Sequence, residues 1–347
     1  MQGSDQNLEN EPITIVSGAD DKFALGLAVT LYSALANLDT KRKIDIYIVD
    51  GGINSKNRDK LTQILNSDLM PVSIKWVKPD LTVLEGVKLF GSLNVTTYFR
   101  LLLPELLPTQ VERVIYLDSD LVVEGNLANL WEQELGNCPA VAVQDYVFPY
   151  VCNGLKTYQQ LGLASNTPYC NAGVMLINIK QWRIEALNRK ILEYIRKFYD
   201  LVYLADQDGI NALIANRFKL LDLKWNVQIF GVYNGKIDLL CKPKELIRDA
   251  FILHFTTPIK PWHPYYRQAG GSRFTHYLRK SKWFNDLEYL KWFANVRLPQ
   301  IVLYSAAQIK RECLKKSIMS RRTKTKSIIA QDNSSKKYDT ESSANMG

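Results

Sequence analysis

Residues 113–120 read RVIYLDSD, an apolar run followed at once by two acidic side chains. The run 113–117 predicts a β-strand buried on both faces, because near-continuous apolar residues are typical of parallel sheets covered by helices. Side chains two residues apart on an extended segment point the same way, so Asp118 and Asp120 can face one site. Ligands of open parallel sheets bind beyond the carboxyl ends of the strands. The stretch therefore predicts both the sheet and the place of its ligand.

Outward from this stretch, short apolar runs alternate with amphipathic ones. The runs predict strands at 13–16, 44–49, 72–77, 140–143, 174–179 and 251–255. Helical spacing predicts helices at 24–38, at 55–65 with Ser55 as the cap, and at 184–198. This order predicts an α/β fold with a mainly parallel, Rossmann-like sheet and helices on both faces.

The composition is that of a packed globular protein. Of 347 residues, 46% are hydrophobic and 23% charged, which excludes a wholly disordered chain, a collagen-like chain and a disulfide miniprotein. No run approaches the roughly 18 apolar residues that a transmembrane helix needs. The five cysteines contain no CxxC and the first ten residues are polar, so we expect reduced thiols, no secretory signal and a cytoplasmic location.

Positive charge is concentrated near the carboxyl terminus. Residues 276–326 carry 13 Lys and Arg against 3 acidic residues, a balance of +10, whereas the whole chain carries +9. Such a block favours an anionic partner, and the aromatic residues interleaved with it suit the surface of an anionic membrane. The alternative is that these aromatics pack onto the rest of the protein. Nucleic acid is not an expected partner, because no recognised module is present.

A second candidate ligand for a metal lies far along the chain. His254 follows the apolar residues 251–253, and Lys260 lies in the loop TTPIKPW at 256–262. Two carboxylates and an imidazole form a mixed site that suits Mn²⁺, and a lysine beside it suits a phosphate oxygen. From the residues alone, the acidic pair is also compatible with a turn and His254 with a core histidine. The usual signatures of P-loop hydrolases, dinucleotide oxidoreductases and serine hydrolases are missing.

Six segments, in this order, resemble family 8 glycosyltransferases, the group that includes bacterial lipopolysaccharide galactosyl- and glucosyltransferases and is similar to glycogenin. The segments are VSGADDKF (16–23), TYFRL (97–101), YLDSD (116–120), YCNAGVMLIN (169–178), DQD (206–208) and HFTTPIKPW (254–262). The resemblance covers residues 13–263. It implies a GT-A fold, a nucleotide-sugar donor and retention of the anomeric configuration.

The resemblance also implies roles for single residues. Asp118, Asp120 and His254 would bind Mn²⁺ (or Mg²⁺). Ala19, Asp20 and Phe23 would hold the uracil nucleotide, with Phe23 stacked on the base. Asn171, Ala172 and Gly173 would line the sugar pocket. Arg100 would contact the donor sugar or the diphosphate, and Lys260 the diphosphate. Asp206 would bond to the sugar hydroxyls, and Gln207 would lie beneath the anomeric carbon. Asp145 would lie in the acceptor loop.

For three of these residues an alternative remains from the sequence. Asn171 and Gly173 are compatible with a bulge before a buried strand, and Arg100 with a cation on a surface helix. Two positions depart from the family pattern: Thr257 replaces a glycine, and Lys22 precedes the stacking aromatic.

Together these patterns predict a retaining, metal-dependent glycosyltransferase that moves a hexose from UDP-glucose or UDP-galactose to a glycolipid or polysaccharide acceptor. We expect it at the inner face of the membrane, with a catalytic domain at 1–275, a basic helical membrane-associating extension at 276–322 and a disordered tail at 323–347. Two alternatives are a metal-dependent nucleotidyltransferase and a non-catalytic, membrane-bound nucleotide-sugar binder. A glycine-rich loop after the first strand would favour the nucleotidyltransferase, but GADD follows there.

Overall fold

The computed structural model describes residues 11–66, 69–87, 95–229, 243–303 and 305. The strands are β1 Ile13–Ala19, β2 Ile44–Asp50, β3 Val72–Val77, β4 Arg113–Leu117, β5 Leu121–Val123, β6 Ala140–Gln144, β7 Cys170–Asn178, β8 Lys219–Leu220, β9 Val227–Gln228 and β10 Ile252–His254. They form a seven-stranded sheet of order β3-β2-β1-β4-β7-β6-β8 and a three-stranded sheet of order β5-β10-β9. The predicted tail at 323–347, residues 304 and 306–322 of the predicted extension, and the first ten residues lie outside the described residues.

Six strands of the large sheet run in one direction, which confirms the prediction of a mainly parallel α/β sheet. The exception is β7, which is antiparallel to both β4 and β6. Because β7 runs against β4, the first residues of β7 lie where β4 ends, and Asp118 N donates a hydrogen bond to Gly173 O over 2.8 Å. This reversed strand brings residues 171–173 to the edge where a parallel sheet binds ligands.

The small sheet holds the late strand that the sequence predicts at 251–255. Its β10 pairs antiparallel with β5, so that His254 lies opposite Leu121, and parallel with β9, so that His254 lies beside Gln228. Since β5 starts one residue after Asp120, this pairing carries His254 to the acidic pair. No sequence pattern predicts β5 or β9, which are three and two residues long.

Helices cover both faces of the large sheet. The α-helices are α1 Ala24–Ala36, α2 Ser55–Leu65, α3 Leu103–Leu106, α4 Leu127–Trp131, α5 Val151–Gly154, α6 Ile179–Glu185, α7 Leu187–Lys197, α8 Asp206–Ile214, α9 Pro243–Arg248, α10 Gly271–Lys280 and α11 Asp286–Trp292. One core contains the apolar side chains of α1 and α10, and the other those of α6, α7 and α8. Short 3₁₀ segments lie at Asp21–Phe23, Leu81–Leu84, Val95–Leu102 and Leu223–Asn226.

Two predicted helices differ in detail from the structure. The cap of α2 is Asn54, whose side chain accepts a hydrogen bond from Asn57 N, and Ser55 is the first helical residue. The predicted helix at 184–198 is present as α7, but it begins three residues later, at Leu187, because α6 and α7 are separate helices. Ala186 between them has φ 51°, a left-handed conformation that ends a helix. An alanine gives no sequence signal for such a break.

The C-terminal segment (residues 271–303) packs onto the catalytic unit at its start. Phe274, Tyr277 and Trp283 belong to the same core as α1, and Asn37 donates a hydrogen bond to the Tyr277 hydroxyl over 2.9 Å. The boundary predicted between 275 and 276 therefore falls inside α10. After α11 the chain continues through the π-helical turn Phe293–Arg297 into a helical stretch at 298–303.

Candidate active site

The three predicted metal ligands lie together at the end of β4. One ligand atom from each of Asp118, Asp120 and His254 lies within 4.8 Å of the others. His254 Nε2 is 3.3 Å from Asp120 Oδ1 and 3.7 Å from Asp118 Oδ2. Carboxylate oxygens with one imidazole suit a divalent cation such as Mn²⁺.

Gly173 leaves the space that this cluster needs. A Cβ at Gly173 would be 2.3 Å from His254 Cε1 and 2.7 Å from Asp118 Oδ2, far inside van der Waals contact. The residue belongs to a local irregularity, because the β6–β7 register jumps so that Ala142 pairs with Met175 but Val143 with Asn171. The bulge considered from the sequence is therefore present, and it is part of the site. Gly173 lies against the candidate metal ligands.

A chain of amides fixes the orientation of the His254 ring. Asn171 Oδ1 accepts hydrogen bonds from Gly173 N and from Asn226 Nδ2. The other amide atom of Asn226, Oδ1, then faces His254 Nδ1 at 3.0 Å and must accept its proton. The proton on Nδ1 leaves the Nε2 lone pair directed at the two carboxylates. Such outer partners orient a histidine ligand and select its tautomer.

Asn226 was missed by the sequence analysis. It lies in the 3₁₀ turn Leu223–Asn226 and is fully buried. No motif surrounds it, and its place beside His254 depends on the pairing of β9 with β10. The only signal in the sequence is a polar residue between Trp225 and Val227.

Arg100 is buried at the centre of the site, so it is not a surface cation. Its Nη2 donates to Asp118 Oδ1 over 2.8 Å, and its Nη1 donates to the carbonyl of Ala172. Its Nε lies 2.8 Å from Asp206 Oδ2, a close ion pair that is not aligned as a hydrogen bond. Burial alone would lower the pKa of Arg100, but Asp118 and Asp206 outweigh it and raise that pKa. Arg100 therefore remains a cation between two candidate site carboxylates.

Asp206 depends on that cation for its charge. Burial raises the pKa of Asp206 above its ordinary range, Arg100 opposes the rise and Asp118 adds to it. Asp206 is the first residue of α8 and is 2% exposed.

Lys260 reaches the cluster from the other side. Its Nζ donates to Asp120 Oδ2 and to Phe255 O, both over 2.7 Å. Burial by itself would raise the pKa of Asp120, but the charge of Lys260 and its hydrogen bond hold that pKa well below its ordinary range. The carboxylate that a metal would need is thus ionised.

Gln207 and Asp145 form a second polar group beside the cluster. Gln207 Oε1 accepts from Ala172 N over 3.0 Å, and Gln207 Nε2 donates to Asp145 Oδ2 over 3.2 Å. That same oxygen accepts from Asn171 Nδ2, and Asp145 Oδ1 accepts from two backbone N–H groups, those of Val147 and Phe148. Asp145 thereby has four donors and is held rigidly.

Two cavities meet at the cluster. One, of about 610 Å³, extends past Phe23, Lys22, Lys260 and Trp262. The other, of about 370 Å³, extends past Asp145, Asn171, Ala172, Asp206 and Gln207. They share Thr97, Arg100, Asp118, Thr256 and Pro258. The candidate metal ligands therefore lie at the junction of two spaces.

Two of the predicted nucleotide-binding residues, Ala19 and Asp20, are not among the described residues that line the two cavities. Ala19 is buried, and its carbonyl accepts from Gly51 N over 2.9 Å. Asp20 Oδ1 accepts from Phe23 N over 3.1 Å and so caps the turn that carries Phe23. The Phe23 ring, in edge contact with Trp262 at 5.5 Å, does line the larger cavity.

The two departures from the family pattern are accommodated locally. Thr257 is buried, and its hydroxyl donates to Ile259 O over 2.7 Å, which braces the loop around Lys260. Lys22 is exposed at the rim of the larger cavity.

A mainly parallel sheet with a carboxylate–imidazole cluster, a buried arginine and a loop lysine at its ligand edge defines an enzyme that handles a nucleoside diphosphate. Residues 14–265 match the model of glycosyl transferase family 8, and the chain belongs to this family. The family predicted from the six segments is confirmed. The chain is a glycosyltransferase with a nucleotide-sugar donor and a glycan acceptor.

Relatives and solved structures agree with this classification. General stress protein A of Bacillus subtilis is 26% identical over 282 residues, 79% of this chain and 96% of that protein. A lipopolysaccharide 1,3-galactosyltransferase of Salmonella typhimurium is 23% identical over 286 residues, 80% of this chain and 81% of that protein. The crystal structure of the galactosyltransferase LgtC with donor and acceptor sugar analogs matches with 28% identity and a TM-score of 0.65, covering 77% of this chain and 96% of that chain. These matches favour the glycosyltransferase over the nucleotidyltransferase alternative.

Proposed function

We propose that the protein is a retaining, metal-dependent transferase that moves glucose or galactose from its UDP derivative to a glycolipid or polysaccharide. One observation carries the proposal: the Asp118–Asp120–His254 cluster lies where two cavities meet. A nucleotide in the larger cavity and a sugar in the smaller one would place the bond between them at the cluster. The names of the Salmonella galactosyltransferase and of an Escherichia coli lipopolysaccharide 1,2-glucosyltransferase support a hexose and a glycolipid acceptor.

In the larger cavity, we assign Phe23 to stacking on the uracil and Lys260 to the diphosphate. Asp20 holds the turn of Phe23, which gives it an indirect part in base binding. Lys260 would exchange its contact with Asp120 for a phosphate oxygen, since a single ammonium binds phosphate as a point charge.

Asp118, Asp120 and His254 would hold Mn²⁺ or Mg²⁺, and the space opposite Gly173 fits this assignment. When bound, the metal supplies positive charge that stabilises the departing diphosphate. Arg100 holds Asp118 in position, and Asn226 holds His254 through Nδ1.

The smaller cavity offers poor nucleophiles. The Gln207 amide is bonded at both atoms, Asp145 accepts four hydrogen bonds, and Asp206 is paired with Arg100. We therefore favour a front-face displacement: the bond from the anomeric carbon to the UDP oxygen breaks, a bond to the acceptor oxygen forms, and the acceptor proton passes to the leaving phosphate. Gln207 would support the positive sugar from below.

We place the reaction at an anionic membrane surface on the cytoplasmic side. Among the described helices, none is long and apolar enough to cross a bilayer. The C-terminal segment exposes a set of apolar side chains, namely Leu287, Leu290, Leu298, Ile301, Val302 and Leu303. Beside them an open cleft is lined by Arg279, Lys280, Lys282 and Tyr289. Apolar residues flanked by cations are typical of helices that lie on anionic bilayers.

The experiment is a panel of UDP-sugars with Mn²⁺ and a glycolipid acceptor, in which release of UDP and the product's anomeric configuration are measured. We expect turnover with UDP-glucose or UDP-galactose, loss of turnover in EDTA, and a retained configuration by NMR. An inverted product would refute the retaining assignment, and full activity in EDTA would refute the metal. Binding of UDP with neither transfer nor hydrolysis would favour the non-catalytic binder.

A further inference from the structure

A buried amide of the C-terminal segment contacts the loop that carries Lys260. Gln300 is 2% exposed, although it lies 35 residues beyond the end of the family match at residue 265. Its Nε2 donates to Pro261 O and to His263 O, each over 2.8 Å, and its Oε1 accepts from Arg297 Nη1 over 3.0 Å. Both amide protons of Gln300 are thus used on one loop.

That loop, the Lys260 loop (residues 256–263), is also held by Trp262, whose ring contacts Phe23 and Phe274. It contains no strand or helix, and prolines at 258 and 261 remove two backbone donors. Its internal hydrogen bonds include Thr257 Oγ1 to Ile259 O and His263 N to Lys260 O. Toward the cavity, Lys260 Nζ holds Asp120 Oδ2, a bond that diphosphate binding would release. The support on the outer side, from Gln300, does not depend on the ligand.

The two sides of the loop are close in sequence. Lys260 directly precedes Pro261, whose carbonyl accepts from Gln300, and His263 follows two residues later. A shift of the Pro261–His263 backbone would therefore move the lysine and also Trp262, which lines the larger cavity.

We propose that Gln300 is a positioning residue for the donor site: it fixes the outer side of the Lys260 loop and so holds Lys260 where the diphosphate binds. The inference rests on the proposed donor site. It assigns a part in donor binding to a residue of the C-terminal segment, outside the family match.

The test compares three full-length variants with the unmodified chain. Gln300→Glu keeps the length of the side chain and the contact with Arg297, and its ionised carboxylate has no proton to donate to the carbonyls. Asn295→Ala is the control, because Asn295 is exposed on the same segment and its Nδ2 bonds only to Lys291 O among the described residues. Lys260→Ala serves in a double-mutant cycle with Gln300→Glu, since residues that act together show non-additive effects.

We expect Gln300→Glu to weaken UDP binding in Mn²⁺ about tenfold, consistent with the loss of two hydrogen bonds, and to speed hydrogen exchange at His263 and Tyr266. Both amides donate within this loop region, to Lys260 O and His263 O. Mn²⁺ binding without UDP should not change, and Asn295→Ala should match the unmodified chain. In the Lys260→Ala background, Gln300→Glu should cause less than a twofold further loss.

Unchanged UDP affinity in Gln300→Glu would overturn the proposal, even if exchange became faster, because the contact would then be structural only. Full additivity with Lys260→Ala would also overturn it. If Gln300→Glu does not fold at the assay temperature, Gln300→Leu removes the same donors without a buried charge and replaces it. Failure of the unmodified chain to bind UDP would instead refute the donor site, and the exchange data would still report on the loop.

Discussion

The metal end of the site, around Asp118, Asp120 and His254, lies within the family match, and the C-terminal segment packs onto that part of the chain. Different interactions hold the two regions in place. At the metal end, polar side chains satisfy one another in a chain that runs from Asp145 through Asn171 and Asn226 to His254. In the C-terminal segment, Phe274, Tyr277 and Trp283 are held mainly by apolar contacts, and the apolar side chains of the outer surface are exposed to solvent.

The two kinds of contact differ in how a single substitution affects the neighbouring side chains. In a hydrogen-bonded chain each bond needs a specific partner, so a single change leaves a buried group without that partner and turns a ligand. Apolar packing distributes its free energy over many contacts and has no fixed partner. We therefore expect substitutions at the metal end to act on chemistry, and substitutions in the C-terminal segment, apart from Gln300, to act on stability or on surface binding.

The largest effect is expected for Gly173→Ala. The new Cβ would lie 2.3 Å from His254 Cε1 and 2.7 Å from Asp118 Oδ2, so two of the three candidate ligands must move. We expect turnover to fall about 1000-fold or more, a change of about 4 kcal/mol in transition-state stabilisation. Calorimetry should show the loss of Mn²⁺ binding in parallel.

The matched control for Gly173→Ala is Gly162→Ala. Gly162 has φ +67°, which strains an alanine, but an added Cβ meets nothing within 4 Å. That variant should lose about 1–2 kcal/mol of stability and keep its metal affinity. Equal loss of turnover in both variants would mean that Gly173→Ala acts through stability alone.

At the metal end, the sequence could predict some of the site residues but not the contacts that bring them together. Asp118 and Asp120 were accessible because strand and motif are adjacent in the chain and the sheet rule applies to them directly. His254 was a candidate from its place after an apolar run, and the resemblance made it a ligand, but its position beside the carboxylates depends on a second sheet of very short strands. The contact of Gly173 with the ligands depends on the reversed direction of β7, which no periodicity encodes.

The second prediction is that Trp283→Ala strongly destabilises the protein. Trp283 is 5% exposed in the core shared with α1, and its carbonyl accepts from Lys60 Nζ over 3.1 Å. Truncation of a buried tryptophan costs about 3–5 kcal/mol in the free energy of unfolding. Urea unfolding would measure this free energy. Leu287→Ala is the control, because Leu287 is exposed and its truncation should cost about 0.5 kcal/mol or less. An equally small loss in the free energy of unfolding for Trp283→Ala would mean that Trp283 does not stabilise the fold. It would favour the membrane contact as the role of the aromatic residues in this segment.

The third prediction concerns Asn226, the residue that the sequence analysis missed. Asn226→Ala removes the acceptor of His254 Nδ1 and should lower Mn²⁺ affinity about 10- to 100-fold, the range found for outer partners of metal ligands. Asn188→Ala is the control, since Asn188 is also buried and its amide bonds to Glu105, away from the cleft. If both variants bind Mn²⁺ normally, the imidazole does not need this partner.

In the C-terminal segment, composition alone left the aromatics with two possible roles, and the structure divides them. Trp283 and Tyr277 lie in the core, whereas Tyr289 lines the basic cleft. Charge and aromatic content cannot separate these positions. The separation depends on which face of α10 and α11 meets α1 and α2, and the chain between residues 271 and 303 has no motif that would fix it.

The smallest effect is expected for Leu290→Ser, which tests whether the bare surface binds a membrane. Leu290 is 63% exposed on α11, so a polar replacement should leave folding intact. Insertion of one leucine into a bilayer surface contributes on the order of 1 kcal/mol when burial is partial, so affinity for anionic vesicles should fall about fivefold. Ile184→Ser is the control, because Ile184 is 70% exposed but lies on α6, remote in sequence from the basic cleft. Flotation at low and high salt would separate the two contributions: cations act over a Debye length of about 8 Å at physiological salt and are screened above it, whereas the leucine is not. Equal flotation of Leu290→Ser, Ile184→Ser and the unmodified chain would remove the apolar surface from the membrane contact and leave the cations alone to account for any binding.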